Sequence, residues 1–499
     1  MHNDLIAGLD VIAREYPDDV ALITDQQSMT YKALMSDVRQ LSEQLKSFHI
    51  RSLAILCRNS VEAVVFDLAC LAAGVIHIAI PEFFSREQVS HIINSTNPDL
   101  IVTDDMVTIR SLTLDTDKYF GLYGLRALRT RSKKDENHIP DEICKITFTS
   151  GTTGIPKGVC LTKANIYCAV FGMINRLRYV LTRKHLCLLP ISVLLENIAG
   201  VYVPLLMRRS VFITPVKSLG FHANHQLEIN KLVDRLQQIK PDSLILYPYI
   251  LKLLVIFTEF TGHLAVNAGF IAVGGGMTSS TLINKAREFG YPVYEGYGLS
   301  ECSSVVAMNI PGQDKTGSVG KPLDNLKVKI IDNEIFIRGN LFYGYSGDSS
   351  ANDDIFFQTG DLGYLDDEGY LYITGRKKNL IITGYGRNIS PEWVESELLQ
   401  SNVISQCLVY GEARPFCSAI IYADEEISDQ AIATDIARIN TKLPGYAAIN
   451  SWFRSPEPFT VNNGLLTQNG KLKRTAIIEK FQKDLDSIYS SPHVSVISV

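Results

Sequence analysis

A run rich in threonine, serine and glycine, ITFTSGTTGIPKGVCLT, spans positions 146–162 and places Lys157 at the end of a loop. The centre of the run has few side chains to bury and many backbone N–H groups. Such a loop suits an anion with several oxygens, above all a polyphosphate, because successive N–H groups form an anion-binding concavity. The alternative is a Gly/Ser/Thr turn without a ligand. A P-loop fits poorly, since its lysine precedes serine or threonine and Lys157 precedes glycine.

Further segments bring glycines, carboxylates or lysines together: MTYKAL (29–34), GGGMTSSTL (274–282), YEGYGLSE (294–301), TGDLGYLDDEGYLYITGRKKNLI (359–381) and NGKLKR (469–474). Each has a structural interpretation when taken singly. Glu301 could be a solvated acid, and Asp361 with Arg376 could form a surface ion pair of little energy. The three glycines could form a plain turn, and Lys471 could belong to a solvated basic tail.

Length and composition set bounds on the chain that carries these segments. At about 150 residues per domain, 499 residues predict roughly three units, or two of unequal size. The hydrophobic fraction of 46% and the charged fraction of 20% are typical of a globular protein. The formal charge of −5 gives no electrostatic reason to expect a nucleic-acid partner.

The sequence predicts a soluble cytoplasmic enzyme. The N-terminal residues lack a basic leader followed by an apolar core, and the most apolar runs are interrupted and too short to span a bilayer. Nine scattered cysteines include no C-x-x-C pair, which argues against a zinc site or a disulfide framework. Peripheral contact with a membrane stays open.

Several elements that must position the loop are indicated by capping residues and periodicity. Around positions 53–80 a strand near Cys57, a helix capped by Ser60 and ended by Gly74, and a second strand predict a βαβ unit. CKITFT before the loop reads as a strand, and Thr162 can cap a helix after the loop. The predicted order is therefore strand, loop, helix.

The pattern of predicted elements changes near position 376, which indicates a domain boundary. The segment before it predicts a hairpin that turns at 367–369, and a charged joint follows. A new helix is predicted with Ser390 as its cap and Pro391 at its first position. The predicted domains are residues 1–376 and 377–499.

The order strand, Thr-Ser-Gly-Thr-Thr-Gly-x-Pro-Lys-Gly, helix resembles the phosphate loop of the adenylate-forming superfamily, which includes acyl-CoA synthetases, nonribosomal-peptide adenylation domains and firefly luciferase. The five further segments resemble its other signatures, in the expected order and across nearly the whole chain. The resemblance implies an α/β fold, with a large multi-layered αβ N-terminal domain that holds ATP and the acid. It also implies a small, mobile α+β C-terminal domain.

The resemblance also implies roles for matching residues. The nucleotide and its phosphates would be held by Thr149, Ser150, Gly151, Thr152, Thr153, Gly154, Lys157, Gly274, Gly275, Gly276, Glu295, Gly296, Tyr297, Asp361 and Arg376. Tyr297 resembles the aromatic residue that stacks on adenine, and Asp361 with Arg376 matches the ribose-binding pair. Ser300 resembles the hydroxyl on the α-phosphate, and Glu301 the carboxylate that binds Mg²⁺.

Three further roles fall in the predicted C-terminal domain. Lys471 matches the catalytic lysine that bridges the substrate carboxylate and the α-phosphate. Lys378 matches the hinge about which the domain swings after adenylation. The swing would bring GYGRN, with Gly384 and Gly386, to the site where the pantetheine of coenzyme A or of a carrier protein enters.

Departures from relatives narrow the expected substrate. The region around Glu196 lacks the Phe-Asp motif that holds an amino-acid ammonium, and Ile382 stands where luciferases use a lysine. The spacing of GRKKNLIITGYGRNISPE is most similar to bacterial long-chain fatty acyl-CoA synthetases, although these commonly have Ser-His where this chain has Ser192 and Val193. The prediction is ATP-dependent activation of an apolar, fatty carboxylic acid to acyl-AMP, then transfer to a thiol, with coenzyme A preferred.

Three alternatives share the motifs. A ligase that loads an acyl carrier protein would differ in its acceptor. A β-lactone synthetase would act on a 3-hydroxy acid without a thiol. A non-catalytic nucleotide-binding relative is disfavoured, because both Lys471 and Glu301 are present.

Overall fold

A computed structural model describes residues 4–112, 119–130, 139–149, 156–221, 227–347, 355–467 and 470–490. The strands are β1 (Val20–Ile23), β2 (Ser28–Thr30), β3 (Ser52–Leu56), β4 (Ile76–Ala79), β5 (Leu100–Thr103), β6 (Phe120–Leu122), β7 (Leu125–Arg129), β8 (Ile143–Thr149), β9 (Lys157–Thr162), β10 (Lys184–Leu186), β11 (Ser210–Phe212), β12 (Ser243–Leu246), β13 (Phe270–Val273), β14 (Val293–Tyr297), β15 (Ala307–Met308), β16 (Lys321–Pro322), β17 (Lys327–Ile331), β18 (Glu334–Arg338), β19 (Gly344–Tyr345), β20 (Phe357–Leu365), β21 (Leu371–Arg376), β22 (Ile381–Ile382), β23 (Asn388–Ile389), β24 (Gln406–Tyr410), β25 (Cys417–Tyr422) and β26 (Ile449–Arg454).

The α-helices are α1 (Leu5–Glu15), α2 (Tyr31–Ser47), α3 (Val61–Ala73), α4 (Arg86–Thr96), α5 (Met106–Arg110), α6 (Lys163–Leu177), α7 (Val203–Leu206), α8 (Ile229–Ile239), α9 (Pro248–Thr261), α10 (Ser280–Glu288), α11 (Pro391–Leu398), α12 (Asp429–Asn440), α13 (Arg474–Lys480) and α14 (Gln482–Ser490). A π-helical segment, Glu196–Tyr202, leads directly into α7. Short 3₁₀ turns include Ser300–Cys302 and Lys377–Asn379.

Two large sheets form the N-terminal part. One has the order β16-β15-β14-β13-β12-β10-β11-β1-β2, and the other has the order β19-β9-β8-β4-β3-β5-β7-β6. In the first sheet, β10, β12, β13 and β14 are successive parallel neighbours. In the second sheet, β3 pairs in parallel with β4 and β5, and β4 pairs in parallel with β8. The main apolar core lies between the sheets and includes residues of α1, α2, α3 and α6, while smaller cores cover their outer faces. The result is a multi-layered αβ architecture.

A smaller unit follows in sequence. After a four-stranded sheet of order β17-β18-β20-β21, the chain passes through the 3₁₀ turn into a three-stranded sheet of order β24-β25-β26 with its own apolar cores. The expected fold class, an α/β protein with a large N-terminal and a smaller C-terminal domain, is confirmed. The boundary between residues 376 and 377 stays a prediction.

Local signals in the sequence match the structure closely. The side chain of Ser60 accepts the N–H of Ala63 at the start of α3, and Gly74 ends that helix with φ at +75°. Thr162 caps α6, and β20 and β21 form the expected hairpin. Ser390 precedes α11, but its hydroxyl contacts the Glu392 carboxylate rather than a backbone N–H.

One local expectation was wrong. The sequence predicted strand, loop, helix after Ile143, whereas the strand β9 stands between the loop and α6. It pairs antiparallel with β8, with Lys157 opposite Thr149. The alternation of KGVCLT is short and contains glycine, so the segment becomes a strand mainly through this pairing. Among the described residues, no helix is long and apolar enough to cross a membrane.

Candidate active site

A large cavity opens at the carboxyl ends of the parallel strands in the first sheet. Its volume is about 2620 Å³, and it is lined by residues that follow β12, β13 and β14, by the ends of β8 and β9, and by the C-terminal unit. Ligands of open α/β sheets bind outside the carboxyl ends of the strands. The cavity therefore lies where a ligand is expected.

The glycines after β13 permit a close approach of the backbone. Gly275 has φ at +80°, and a Cβ built there would lie 2.9 Å from Cε1 of Tyr247. A Cβ on Gly274 would lie 3.1 Å from the carbonyl oxygen of Gly296. Together with Gly276, they line the cavity with backbone alone. A flat ligand can therefore rest against this turn at van der Waals distance.

The segment after β13 leads into β14, whose end contributes Glu295, Gly296 and Tyr297 to the cavity wall. Tyr297 donates its hydroxyl to Oδ2 of Asp361 at 2.6 Å, and Nε of Arg376 lies 2.8 Å from Oδ1 of the same carboxylate. Asp361 is 4% exposed, so this is a buried group held by two partners rather than a surface ion pair. Burial and Asp361 raise the pKa of Tyr297 far above its ordinary value, so the phenol stays a donor.

Glu295, two positions before Tyr297, is buried and accepts the N–H of Gly317 at 3.1 Å. Burial raises the pKa of Glu295 to about 7, against the opposing effects of this hydrogen bond and of Arg287. Its contacts are those of a residue that holds the strand end in place.

Ser300 and Glu301 begin a 3₁₀ turn at the rim of the cavity. The hydroxyl of Tyr345 donates to Oε1 of Glu301 at 2.8 Å, and Nζ of Lys157 lies 5.2 Å from the centre of the Tyr345 ring. Tyr345 thus connects the acid to the phosphate-loop strand. No feature of the sequence singled out Tyr345, because its contact with Glu301 depends on the antiparallel pairing of β19 with β9.

Only two of the predicted phosphate-loop residues are among the described ones. Thr149 ends β8 and Lys157 begins β9, and both line the cavity. Ser150, Gly151, Thr152, Thr153 and Gly154 lie outside the described residues.

Lys471 reaches the cavity from the C-terminal unit. Its backbone N–H donates to Oγ1 of Thr467 at 3.0 Å, and its carbonyl accepts the N–H of Thr467 at 2.7 Å. Protein surrounds the ammonium, yet the residue keeps accessible surface because it faces the open cavity. Burial lowers the pKa of Lys471, Arg376 and Lys378 lower it further, and Asp361 opposes them. The structure therefore brings Lys471 beside Arg376 and Asp361.

The remaining predicted residues of the C-terminal unit divide into two places. Lys378 lies in the 3₁₀ turn Lys377–Asn379 and lines the cavity. Gly384 and Gly386 lie in the turn between β22 and β23 and do not line it. The N–H of Gly384 donates to the carbonyl oxygen of Arg414. Tyr385, between the two glycines, is 76% exposed.

A deep arm of the cavity runs between the first sheet and the π-helical segment. Its walls are mostly apolar, with Met173, Leu177, Ala199, Val203, Ile245, Phe270 and Ala272 among them. The four residues of β13 give the arm a depth of about 13 Å from the glycine turn to Phe270. Such a space accepts an apolar chain.

The same arm contains a buried polar cluster that the sequence did not indicate. His185 lies between Oγ of Ser243 at 3.0 Å and Oε1 of Glu196 at 2.9 Å. Glu196 is fully buried and also accepts the N–H of Leu189. A Cβ on Gly200 would lie 2.1 Å from Oε1 of Glu196, so glycine is required beside this pair. These contacts make Glu196 a hydrogen-bonded structural residue at the border of the arm.

A second buried network holds the outer side of the π-helical segment. Nζ of Lys145 donates to Oδ1 of Asp67 and Oδ1 of Asn197, each at 2.6 Å, and to the Tyr202 hydroxyl at 3.0 Å. Asn197 and Tyr202 donate to the other oxygen of Asp67. Since Lys145 lies on β8, this network ties the wall of the deep arm to the strand that leads into the phosphate loop.

Comparisons with known proteins agree with this architecture. The family model described as AMP-binding enzyme matches residues 9–340, and the model described as AMP-binding enzyme C-terminal domain matches residues 378–493. A long-chain-fatty-acid–CoA ligase, FadD15, of Mycobacterium bovis is 26% identical, with 86% of each chain covered. A 2-succinylbenzoate–CoA ligase of Bacillus subtilis is 28% identical, covering 79% of this chain and 82% of that protein.

A solved structure shows the same fold with ligands bound. It is O-succinylbenzoate coenzyme A synthetase (MenE) from Bacillus subtilis in complex with ATP and a magnesium ion. The TM-score is 0.71 at 23% identity, with 94% of this chain and 98% of that chain covered.

The residues present here fit the same ligands. Tyr345 engages one oxygen of Glu301, and a carboxylate has a second oxygen for a hard cation such as Mg²⁺. The bare backbone at Gly275 leaves a cradle that a Cβ would fill. The chain therefore belongs to the AMP-binding enzyme family, and it is an AMP-forming acid–thiol ligase of the acyl-CoA synthetase type.

Proposed function

We propose that this ligase activates an apolar, fatty carboxylic acid as its acyl-AMP and then transfers the acyl group to coenzyme A. The observation that carries the proposal is the cavity, which joins the glycine turn at Gly275 and the ammonium of Lys471 to a deep arm with mostly apolar walls. The acid would lie in the arm, with its carboxylate at the glycine turn. Its position there would face the α-phosphate of ATP.

In the first half-reaction, the carboxylate attacks the α-phosphate and pyrophosphate leaves. Both reactants are anions, so the protein mainly aligns them and offsets charge. Lys471 would contact the carboxylate and the α-phosphate, with Ser300 on the latter. Mg²⁺ held at Glu301 would neutralise phosphate charge, and Lys157 would bind the outer phosphates.

The nucleoside would lie across β14 and the glycine turn. Tyr297 would pack against adenine while its hydroxyl stays on Asp361. The Asp361 carboxylate and Arg376 would hold the ribose hydroxyls. The backbone of Gly276 and Gly296 would form the rest of this wall, and Glu295 would hold the end of β14 in place. Thr149 and the loop that includes Ser150 to Gly154 would wrap the phosphates.

The second half-reaction requires a change of conformation. Gly384 and Gly386 lie away from the cavity, so we propose that the C-terminal domain, residues 377–499, rotates about Lys378 to bring them to it. The pantetheine arm would then pass beside GYGRN to reach the acyl-AMP. Lys471 would leave the reacting atoms in the same movement.

A series of straight-chain acids tests the identity of the substrate. Each buried methylene contributes about 0.8 kcal/mol, so kcat/KM should rise roughly threefold to fourfold per carbon until the arm is filled. Hydroxylated, amino and aromatic acids of matched size serve as comparison, with acyl-AMP trapped by hydroxylamine. A flat response to chain length, or preference for an aromatic or α-amino acid, would overturn the fatty-acid assignment and leave adenylation standing. Aromatic acids are included in the comparison because the Bacillus subtilis relative is a 2-succinylbenzoate ligase.

The acceptor and the location belong to the same proposal. Transfer should be faster to coenzyme A than to a holo-carrier protein, and the reverse order would make the chain a carrier-protein ligase. Within the part of the chain that the structure describes, none of the nine cysteines forms a disulfide, and a reducing compartment such as the cytoplasm suits them.

A further inference from the structure

A buried carboxyl oxygen that no donor of the described residues reaches lies in the cavity beside the phosphate-loop strand. Glu82 follows β4 and lines the cavity together with Thr149 and Lys157. Its Oε1 is buried, and within the described ranges of the chain it has no hydrogen-bond partner. Buried carboxylate oxygens normally have donors, so an exception of this kind points to a partner that arrives with a ligand.

The strand pairing fixes where Glu82 stands. Ala79 of β4 is opposite Thr147 of β8, so the carboxyl end of β4 adjoins the strand that leads into the phosphate loop. On the other side, β4 pairs with β3, which is followed by Asn59. The side-chain amide of Asn59 donates to the carbonyl oxygen of Leu189, which lines the cavity, and accepts the N–H of Ile191.

Glu82 therefore stands beyond the carboxyl end of β4, an inner strand of the second sheet, between the strand that leads into the phosphate loop and the loop that contains Leu189. The acyl-phosphate bond of the intermediate must lie between those same two regions. Other buried acids around the cavity already have partners: Glu295 accepts the N–H of Gly317, and Glu395 is paired with Arg474. Among these acids, Glu82 is distinguished by its unpartnered oxygen.

The charged groups around Glu82 come from two neighbouring strands. Asp104 follows β5, Arg58 follows β3, and Nε of Arg58 donates to Oδ2 of Asp104 at 2.7 Å. Burial raises the pKa of Glu82 to about 7, Asp104 raises it as well, and Arg58 opposes them. The adjacent thiol of Cys57 stays neutral, because burial, Asp104 and Glu82 raise its pKa well above the usual range.

We propose that Glu82 is the general base of the second half-reaction, in which it accepts the proton of the attacking thiol. The sulfur forms a bond to the acyl carbon, and the bond from that carbon to the phosphate oxygen breaks. AMP leaves with the electron pair, the thiol proton moves to the Glu82 carboxylate, and water then removes it. Adenylation transfers no proton, so the carboxylate has no part in the first half-reaction. The inference rests on the proposed function, because it needs an acyl-AMP and a thiol.

A single-turnover experiment isolates the step. Enzyme is loaded with acyl-AMP from ATP and its preferred acid in the presence of pyrophosphatase, then mixed with coenzyme A on both sides of neutral pH. The wild-type transfer rate should rise with pH and level off with a midpoint near the Glu82 pKa of about 7. Glu82→Gln should lose on the order of 10²-fold in transfer, lose that midpoint, and lose much less pyrophosphate exchange.

Three companion variants sharpen the result. Asp104→Asn removes a negative neighbour and frees Arg58, so it should move the midpoint to lower pH. Glu87→Gln, a surface change on α4, is the matched control and should leave rate and midpoint unchanged. Glu82→Asp should keep the midpoint at a reduced rate. A contribution from ionisation of the thiol itself would not move with Asp104→Asn.

The outcomes separate the claims. Equal losses of exchange and transfer in Glu82→Gln would show a structural residue and overturn the inference. A raised KM for coenzyme A at unchanged maximal transfer rate would make Glu82 a binding contact only, which also overturns it. If the wild type shows no pyrophosphate exchange with any acid, the proposed function itself fails, and this inference fails with it.

Discussion

The wall of the acyl arm and the loop that carries Lys471 belong to one site but are built in opposite ways. The wall rests on fully buried charges, with Lys145, Asp67 and the His185–Glu196 pair each engaged by several partners. Lys471 reaches the cavity on a loop in which its own N–H and carbonyl are both hydrogen-bonded to Thr467. This difference is what the proposed function needs, because the acid would be held by a fixed wall while the loop with Lys471 would move away after adenylation. A variant that changes one of these two regions leaves the other as its reference.

Removing the cation from the buried network should give the largest effect. Lys145→Met leaves the Asp67 carboxylate buried without its main counter-charge, which typically costs about 3–5 kcal/mol in free energy of unfolding. Urea denaturation measures the change. The double variant Asp67→Asn with Lys145→Met should be less destabilised than Lys145→Met alone, because no isolated charge remains. Simple additivity of the two single changes would contradict this account of the wall.

Truncating Lys471, the proposed catalytic lysine, should abolish adenylation without harming the fold. Lys471→Ala removes one preorganised charge, which typically costs on the order of 10² to 10³ in rate. Pyrophosphate exchange measures adenylation, and transfer from supplied acyl-AMP should remain largely intact. Lys483→Ala, on the exposed side of α14, is the matched control. Exchange near the wild-type rate in Lys471→Ala would show that another residue carries this role.

How much of this comparison the sequence could reveal depends on the range of the contacts. Gly275, Ser300 and Glu301 lie in short continuous segments that border the cavity, so their motifs indicated them. The caps at Ser60 and Thr162 are equally local. His185, Ser243 and Glu82 meet their neighbours only through the order of strands in the two sheets, and Tyr345 reaches Glu301 through the pairing of β19 with β9. Patterns along the chain carry no record of such contacts, and β9 itself was missed for the same reason.

Proline at the proposed hinge should affect only the second half-reaction. Lys378 lies in a 3₁₀ turn, whose φ of about −50° to −70° matches the −65° that proline imposes. The hydrogen bond of that turn joins Leu380 N–H to the Lys377 carbonyl and does not use the N–H of residue 378. Acyl-AMP should therefore form in Lys378→Pro, while thioester formation falls by at least about tenfold because rotation is hindered. Lys378→Ala, which leaves φ free, should transfer much faster than the proline variant, and equal losses in both half-reactions would argue against a hinge here.

The smallest effect is a dependence of stability on pH that arises in the wall alone. His77 is buried beside Asp67, with Nδ1 of the ring 3.2 Å from Oδ1 of the carboxylate. Burial lowers the pKa of His77 to about 4, against the opposing effect of Asp67, whereas an unfolded chain keeps a histidine pKa near 6.5. The unfolded state then binds the proton more readily, so the stability contributed by the neutral ring is complete above pH 6.5 and is lost as pH falls toward 4.

Other buried groups act in the opposite direction over part of this range. The pKa values of Glu295 and Glu395 are each raised to about 7 by burial, so those carboxyls add stability as pH falls. The test is therefore the difference in free energy of unfolding between wild type and His77→Gln, measured by urea denaturation at several pH values. Relative to the variant, the wild type should lose up to about 1.4 kcal/mol per pH unit within the window. Asp67, whose pKa is held at about 2 because Lys145 and His77 outweigh its burial, titrates below the window and should not contribute. Parallel curves for the two proteins would mean that the folded and unfolded states bind the His77 proton equally well. Burial in the wall would then not lower the pKa of His77, which contradicts the prediction.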